Sequence, residues 1–327
     1  MNAAYDAFVG GGYQNSISAS GTVIGGGSQN SIGGSGPQAA IVGGYQNTVN
    51  AYNGFIGDGQ QNAVTYAHYS SITGGSNNTI VAGLTSTEAS AQNAAIDGGA
   101  GNTIAALVNG GAQYAFIGAG SNNVATGVAT AVAGGEKNQA GGLMAAVPGG
   151  FGNEANGATS FAAGYGADAA TNGSFVWADY SPGAGRVVAK RANVFLARAS
   201  GGVIFYTNVA QTAGVSIAPG SGTWSSLSDR MMKTDIVPLD DAAVLEKVAA
   251  LPVSEWSYTS ERGVRHIGPM AQDFYAAFKV GEDDRHITTI DEDGVALAAV
   301  KALRDENESL RRDVRALQRE VAALARR

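Results

Sequence analysis

The sequence predicts a mainly β chain: a glycine-rich β-solenoid over residues 1–172, a β-rich neck over 173–227, and a small α+β domain over 228–327 that ends in a coiled-coil helix. Three observations predict it. A cassette of Ile or Val, paired glycines and Asn recurs at a usual step of 15 to 17 residues through the first half. Composition then changes abruptly: residues 1–185 hold 39 of the 48 glycines and nine charged groups, whereas residues 228–327 hold four glycines and 34 charged groups. Finally, valines and leucines fall on a heptad seam at the end of the chain.

The cassette is plain in Val-Gly-Gly-Gly-Tyr-Gln-Asn-Ser-Ile (9–17), which returns as Ile-Gly-Gly-Gly-Ser-Gln-Asn-Ser-Ile (24–32) and Ile-Val-Gly-Gly-Tyr-Gln-Asn-Thr-Val (41–49). Anchored on the second glycine, copies stand at Gly12, Gly27, Gly44, Gly59, Gly75, Gly99, Gly111, Gly120, Gly135 and Gly150. Three residues before each lies an aliphatic: Val9, Ile24, Ile41, Ile56, Ile72, Ile96, Val108, Ile117, Val132 and Val147. The step is too short for a helical hairpin and suits one solenoid coil of two short strands. The aliphatic fills the interior, the glycines supply a corner with positive φ, and Asn, which tolerates the left-handed region, closes the turn. A second inward aliphatic follows at Ile17, Ile32, Val49, Val64, Ile80 and Ile104, and stacking aligns the asparagines into a ladder. A coil this small buries little alone, so neighbouring coils or chains complete the core.

Several chemistries are excluded. Gly-Gly-Phe-Gly-Asn-Glu (149–154) and Gly-Gly-Ala-Gly-Asn-Thr (98–103) look like calcium-binding nonapeptides, but the ligand position is neutral Asn and the period is too long. No Gly-Lys-Ser/Thr follows a glycine cluster, so phosphate loops fail. Asp58, Glu88, Asp97, Glu136, Glu154, Asp168 and Asp179 are single acids, not a glycosidase pair, unless a groove between chains brings two together. His68 reads as a loop residue, not a metal ligand, and without cysteine there is no thiolate site; no metal and no cofactor are expected. A net charge of −7 with no basic run in the glycine-rich part argues against nucleic acid, and neither a spanning apolar stretch nor a signal-peptide pattern is seen. Tyr13, Tyr45, Tyr52, Tyr66, Tyr69 and Tyr114 suit either sugar stacking or packing along the solenoid.

The repeat stops at Gly173. Residues 174–179 and 193–207 read as strands, the latter broken at Gly-Gly, with Arg186, Lys190, Arg191 and Arg198 nearby as surface charge or an anion site. Residues 218–224 form a turn-rich connection.

Ser228-Asp229-Arg-Met-Met-Lys233 places a serine and a lysine five residues apart. Such a pair works as nucleophile and base only where the ammonium is desolvated enough to lose its proton. Asp240-Asp241 cap a helix carrying Val244, Leu245, Val248 and Leu251, stopped by Pro252; strands at 253–258 and 264–267 flank a turn, and 271–278 is a second helix. Val300, Asn307, Val314 and Val321 share one heptad position, and Leu303, Leu310, Leu317 and Leu324 the other, with Asn307 fixing register.

The cassette over about residues 8–166 resembles the head repeats of trimeric autotransporter adhesins and related phage fibres, in which three β-rolls pack side by side. Residues 228–327 resemble the intramolecular chaperone domain of endosialidases and other phage fibres, the self-cleaving peptidase S74 family. Its Ser-Asp-x-x-x-Lys is matched by Ser228, Asp229 and Lys233, its His-Ile-Gly-x-x-Ala-Gln by His266, Ile267, Gly268, Ala271 and Gln272, and its terminal helix from Gly294 onward. Many relatives carry Arg-Leu where this chain has Met231-Met232, a departure that touches the residues flanking the base.

The resemblance implies a homotrimer in which Ser228 attacks the carbonyl of Leu227, Lys233 takes its proton, and the ester is hydrolysed; His266 supports the site. The plainer readings are a turn cap for Ser228-Asp229 and a structural strand residue for His266. The implied protein is a phage or prophage tail fibre in the virion, with a host-surface glycan as receptor and a chaperone that cuts itself off once, acting on no external substrate. The alternative is a bacterial surface adhesin of the same build.

Overall fold

A computed structural model describes residues 5–83, 91–106 and 111–326. The chain divides into two compact units, Met1–Leu227 and Ser228–Arg327.

The first unit is a β-solenoid of two parallel sheets. Strands of two to five residues alternate between a 13-stranded sheet, running from Phe8–Val9 to Phe195–Arg198, and an 11-stranded sheet, running from Ser16–Ile17 to Val187–Val188. Register is fixed by the aliphatics: Ile24 pairs with Ile41, Ile41 with Ile56 and Ile56 with Ile72, and all four are fully buried. In the second sheet Ile32, Val49, Val64, Ile80 and Ile104 form the facing inward column, also fully buried, which narrows to Ala125, Ala140, Ala155 and Ala169. A one-residue slip would turn every one of these side chains outward, so the pattern admits one pairing.

The second glycine of each corner takes φ between +85° and +102° from Gly12 through Gly150, Gly111 excepted. At Gly75 (φ +88°) an added Cβ would stand 2.2 Å from the Gly99 carbonyl oxygen, so backbone approach as well as dihedral demands glycine there.

The asparagines form the ladder, but by hydrogen bonding and not by left-handed backbone. The residue before each takes positive φ instead, 53–58° at Gln14, Gln29, Gln46, Gln61, Asn77, Asn122 and Lys137. This leaves each Asn side chain free to turn inward. Asn78 Nδ2 donates to the carbonyls of Gly74 (3.1 Å) and Gly99 (3.0 Å), while its Oδ1 accepts from the N–H of Asn102 at 3.0 Å. Asn30, Asn47, Asn62, Asn78, Asn102, Asn123, Asn138 and Asn153 are all buried, so the ladder satisfies corner groups that water cannot reach.

Two expectations are corrected. Gly111 is not a corner: its carbonyl accepts from Ala91 N–H in a turn, and the next inward residue after Ile96 is Ile117. Its spacing of 12 from Gly99 and nine from Gly120 leaves no room for a coil. Val108 and Glu88 lie outside the described residues. The cassette ends near residue 172, but the coil does not: Phe175–Ala178 and Phe195–Arg198 extend the first sheet, with Val176 and Ala178 inward. There charge pairs replace the ladder. Arg198 Nε meets Asp179 Oδ1 at 2.7 Å, and Arg186 contacts Glu154 and, at 3.8 Å, Asp168. Hydrogen bonds from Ser200 and Arg198 hold the Asp179 carboxyl below the usual range, whereas burial pushes Asp168 up despite Arg186. Antiparallel strands Val203–Tyr206, Gly214–Ile217 and Ser225–Ser226 complete the unit.

The face each sheet turns outward differs. The outward column of the first reads Phe8, Val23, Ala40, Phe55, Ser71, Ala95, Phe116, Ala131, Ala146, Phe161, Phe175, Phe195. That of the second reads Ser16, Ser31, Thr48, Ala63, Thr79, Thr103, Val124, Gln139, Glu154, Asp168.

The second unit is α+β. A 3-10 turn, Arg230–Met232, precedes helix α1 (Asp241–Ala250), a hairpin of Ser254–Trp256 and His266–Gly268, helix α2 (Ala271–Phe278) and helix α3 (Thr289–Leu324). Asp240 caps α1 by accepting from Ala243 N–H, and Val244 is buried. Thr288 caps α3, which begins five residues before Gly294, and α3 buries Ala298, Ala299 and Ala302 in its contact with α1. The heptad leucines and valines are at least half exposed in the single chain. Among the described residues no helix is long and apolar enough to cross a membrane.

Candidate active site

The candidate site is built by one turn of backbone. Asp229 Oδ1 accepts from Met231 N–H at 2.8 Å, and the Lys233 N–H returns to the Arg230 carbonyl at 3.2 Å, closing Arg230–Met232 into a 3-10 turn. Three residues of 3-10 helix bend the chain enough for positions 228 and 233 to meet. Lys233 Nζ donates to Ser228 Oγ at 2.7 Å. Asp229 thus acts as a cap, while Ser228 does not. Met231 and Met232 occupy the turn with exposed side chains, and Leu227, on the other side of the Leu227–Ser228 bond, is exposed as well.

Both members of the pair are exposed in the single chain. A lysine serves as base toward a hydroxyl only where water is excluded from it.

His266 sits on the second strand of the hairpin, His266–Gly268. It pairs with Trp256 across the hairpin, its ring stacked on the indole at 4.8 Å and edge-on to Tyr258 at 5.3 Å. Its Nε2 is buried without a hydrogen-bond partner, as is Trp256 Nε1, and Glu261 stands 3.9 Å from that Nε2. Among the described residues no hydrogen bond, ion pair or ring contact joins His266 to Ser228 or Lys233. Gly268 and Gln272 instead line a cavity of about 600 Å³ with Trp256, Tyr258, Arg285 and Glu292. The structure therefore brings together Ser228, Asp229 and Lys233 in one group, and Gly268 and Gln272 beside the aromatic cage of His266 in another. Sequence reasoning missed Trp256 and Tyr258; the signal was their i, i+2 spacing, Trp256 ending the strand that faces His266 and Tyr258 following in the chain just beyond it.

In the first unit His68 is a structural acceptor: its Nδ1 takes the Tyr52 N–H at 3.0 Å. Among the described residues no group of three His, Cys, Asp or Glu could hold a metal ion.

No curated protein matches the chain. A family model does match, and the match begins at the serine of the pair: residues 228–280 match Peptidase_S74, the chaperone of endosialidase, and a β-solenoid precedes them in this chain.

Proposed function

We propose that the chain is a homotrimeric tail-fibre-like protein whose solenoid binds a host surface, and whose C-terminal domain directs trimer folding and then releases itself at Leu227–Ser228. One observation carries the chemistry: Lys233 Nζ lies 2.7 Å from Ser228 Oγ at the first residue of the family match. Ser228 Oγ adds to the Leu227 carbonyl carbon as its proton passes to the neutral Lys233 amine. The Leu227–Ser228 C–N bond then breaks, the leaving α-amine takes that proton, and an ester joins Leu227 to Oγ. Water hydrolyses the ester, giving a Leu227 carboxylate and a free Ser228 hydroxyl. Exposure of the pair in one chain makes this step depend on assembly, since neighbouring copies must supply the desolvation that frees the lysine.

Assembly is supported by α3. Leu303, Leu310, Leu317 and Leu324 are at least half exposed on a 36-residue helix, which is the surface a coiled coil closes. Gathering the chains at their ends raises local concentration and sets alignment for coils that pair one rung at a time. A glycan receptor on a host surface is supported by exposed rings at Tyr13, Tyr69 and Tyr114, and a glycan array on the assembled protein tests it.

Intact mass measurement of purified, folded protein tests the cleavage. The expected outcome is two fragments meeting at Leu227–Ser228, and an uncut, still oligomeric chain for Ser228→Ala. Lys233→Ala and Lys233→Arg are expected to stay uncut, the latter because guanidinium keeps its proton. Cutting that persists in Ser228→Ala overturns the assignment of the nucleophile.

A further inference from the structure

We infer that the outward face of the first solenoid sheet is the surface through which copies of this chain pack on one another. The inference rests on the proposed trimer and adds to it the face that closes. Along the twelve rungs of that column there is no charge, and one hydroxyl, that of Ser71. Phenylalanine stands at every third rung, Phe8, Phe55, Phe116 and Phe161, with two smaller residues in each gap, and then runs on through Phe175 and Phe195. Large residues alternating with gaps are what interdigitating faces require. Four of these rings are exposed, Phe8 at 60%, Phe55 and Phe116 at 37% and Phe195 at 69%, while Phe161 and Phe175 are half-buried and stacked on each other.

The stripe widens at its C-terminal end into an apolar cleft of about 420 Å³ walled by Phe151, Tyr165 and Trp177, the last two residues along from Phe175 on the same strand and face. The column two residues on holds glycine at Gly10, Gly25, Gly57 and Gly118, where an added Cβ would stand 2.3–2.4 Å from a carbonyl oxygen of the next coil, and a charge at Asp97.

A second copy is the occupant that fits. At roughly 4.8 Å per rung and about 10 Å of width, the stripe is roughly 50 Å long and two such faces bury roughly 1,000 Å², the lower bound of a specific interface. An uncharged face meets copies of itself without repulsion, and about a threefold axis all three chains turn the same face inward. A glycan fits poorly, because Ser71 is the column's single hydroxyl; the polar Ser, Thr, Gln, Glu and Asp column belongs to the other sheet.

The chain has no cysteine, so one introduced thiol reports one site. Ala131→Cys places it on the stripe and Gln139→Cys on the opposite sheet of the same coil; both positions are half-buried in the single chain. Full-length protein of each variant is weighed by light scattering and then labelled with a maleimide. A trimeric mass with labelling at 131 about tenfold or more slower than at 139 is expected, since reaction then waits for the interface to open. A trimeric mass with equal rates, or with 131 faster, overturns the stripe and leaves the trimer standing. A monomeric mass overturns the trimer and the stripe with it. If Ala131→Cys does not fold, Ala95→Cys against Thr103→Cys makes the same comparison two rungs away.

Discussion

Replacing Asn102 by alanine removes three hydrogen bonds from a site closed to water. Its Nδ2 donates to the Gly98 carbonyl at 2.9 Å and the Gly120 carbonyl at 3.1 Å, and its Oδ1 accepts from Asn123 N–H at 3.0 Å. Each bond contributes about 1 kcal/mol net, and leaving a buried partner unsatisfied costs about 1–3 kcal/mol, so the loss is about 3–5 kcal/mol. For a unit of this size that lowers the thermal midpoint by roughly 6–20 °C. Far-UV circular dichroism melts of wild type, Asn102→Ala and the exposed Gln60→Ala provide the comparison; Gln60 contributes its backbone to the corner and is expected to lose almost nothing. Asn102→Asp sharpens the test. A carboxylate there faces two carbonyl oxygens, so its folded-state pKa is raised. The penalty is then full at neutral pH and falls as pH drops through that raised value, because the protonated acid regains one donor. An Asn102→Ala midpoint within about 2 °C of wild type, or no lower than that of Gln60→Ala, refutes the claim that the ladder stabilises the coils.

Three further outcomes are expected. Gly75→Ala destabilises by about 3 kcal/mol or more while Gly74→Ala is tolerated, since the first forces a Cβ to 2.2 Å from a carbonyl at φ +88° and the second meets nothing closer than 3.9 Å; paired melts check it. Asp179→Asn lowers the midpoint at pH 7, and the difference from wild type closes as pH falls below about 4, because a depressed carboxyl contributes stability above its ordinary pKa and loses it below; melts across pH read the sign. Leu310→Glu puts a charge on the α3 seam and is expected to lower the mass seen by light scattering toward that of a single chain.

The solenoid was legible because its interior is periodic in the sequence itself. Ile24, Ile41, Ile56 and Ile72 precede a corner glycine by three residues, and nothing but a stacked coil brings such positions into register. What was not legible followed from relaxing that rule. Past residue 172 the inward residues are Val176 and Ala178 and the ladder Asn is gone, so the coil continues on shape and charge pairs that no cassette marks. The left-handed residue was misplaced by one because Asn and its neighbour share a turn, and only geometry shows which carries the dihedral and which the hydrogen bonds. At the candidate site the Ser228–Lys233 contact is local, spanning five residues, and could be anticipated from spacing. The cage around His266 is set by hairpin register, which spacing within one strand does not give.

The ladder also sets how the solenoid bears tension. Its hydrogen bonds run along the stacking direction, so a pull on the two ends loads the sheet rows and the asparagine row as springs in parallel at every gap between coils. That third spring stops at Asn153, whose Oδ1 accepts at 2.8 Å from the N–H of Ala167, the residue that stands in the row where the next asparagine would be. From there to Arg198 it is replaced by the Arg186–Glu154 and Arg198–Asp179 pairs, partly exposed charges that salt screens as it does not screen a buried amide. Between Asn153 and Arg198 the coils therefore exchange a row of bonds indifferent to salt for pairs that weaken with ionic strength, while the first-sheet strands lengthen from two residues to four or five.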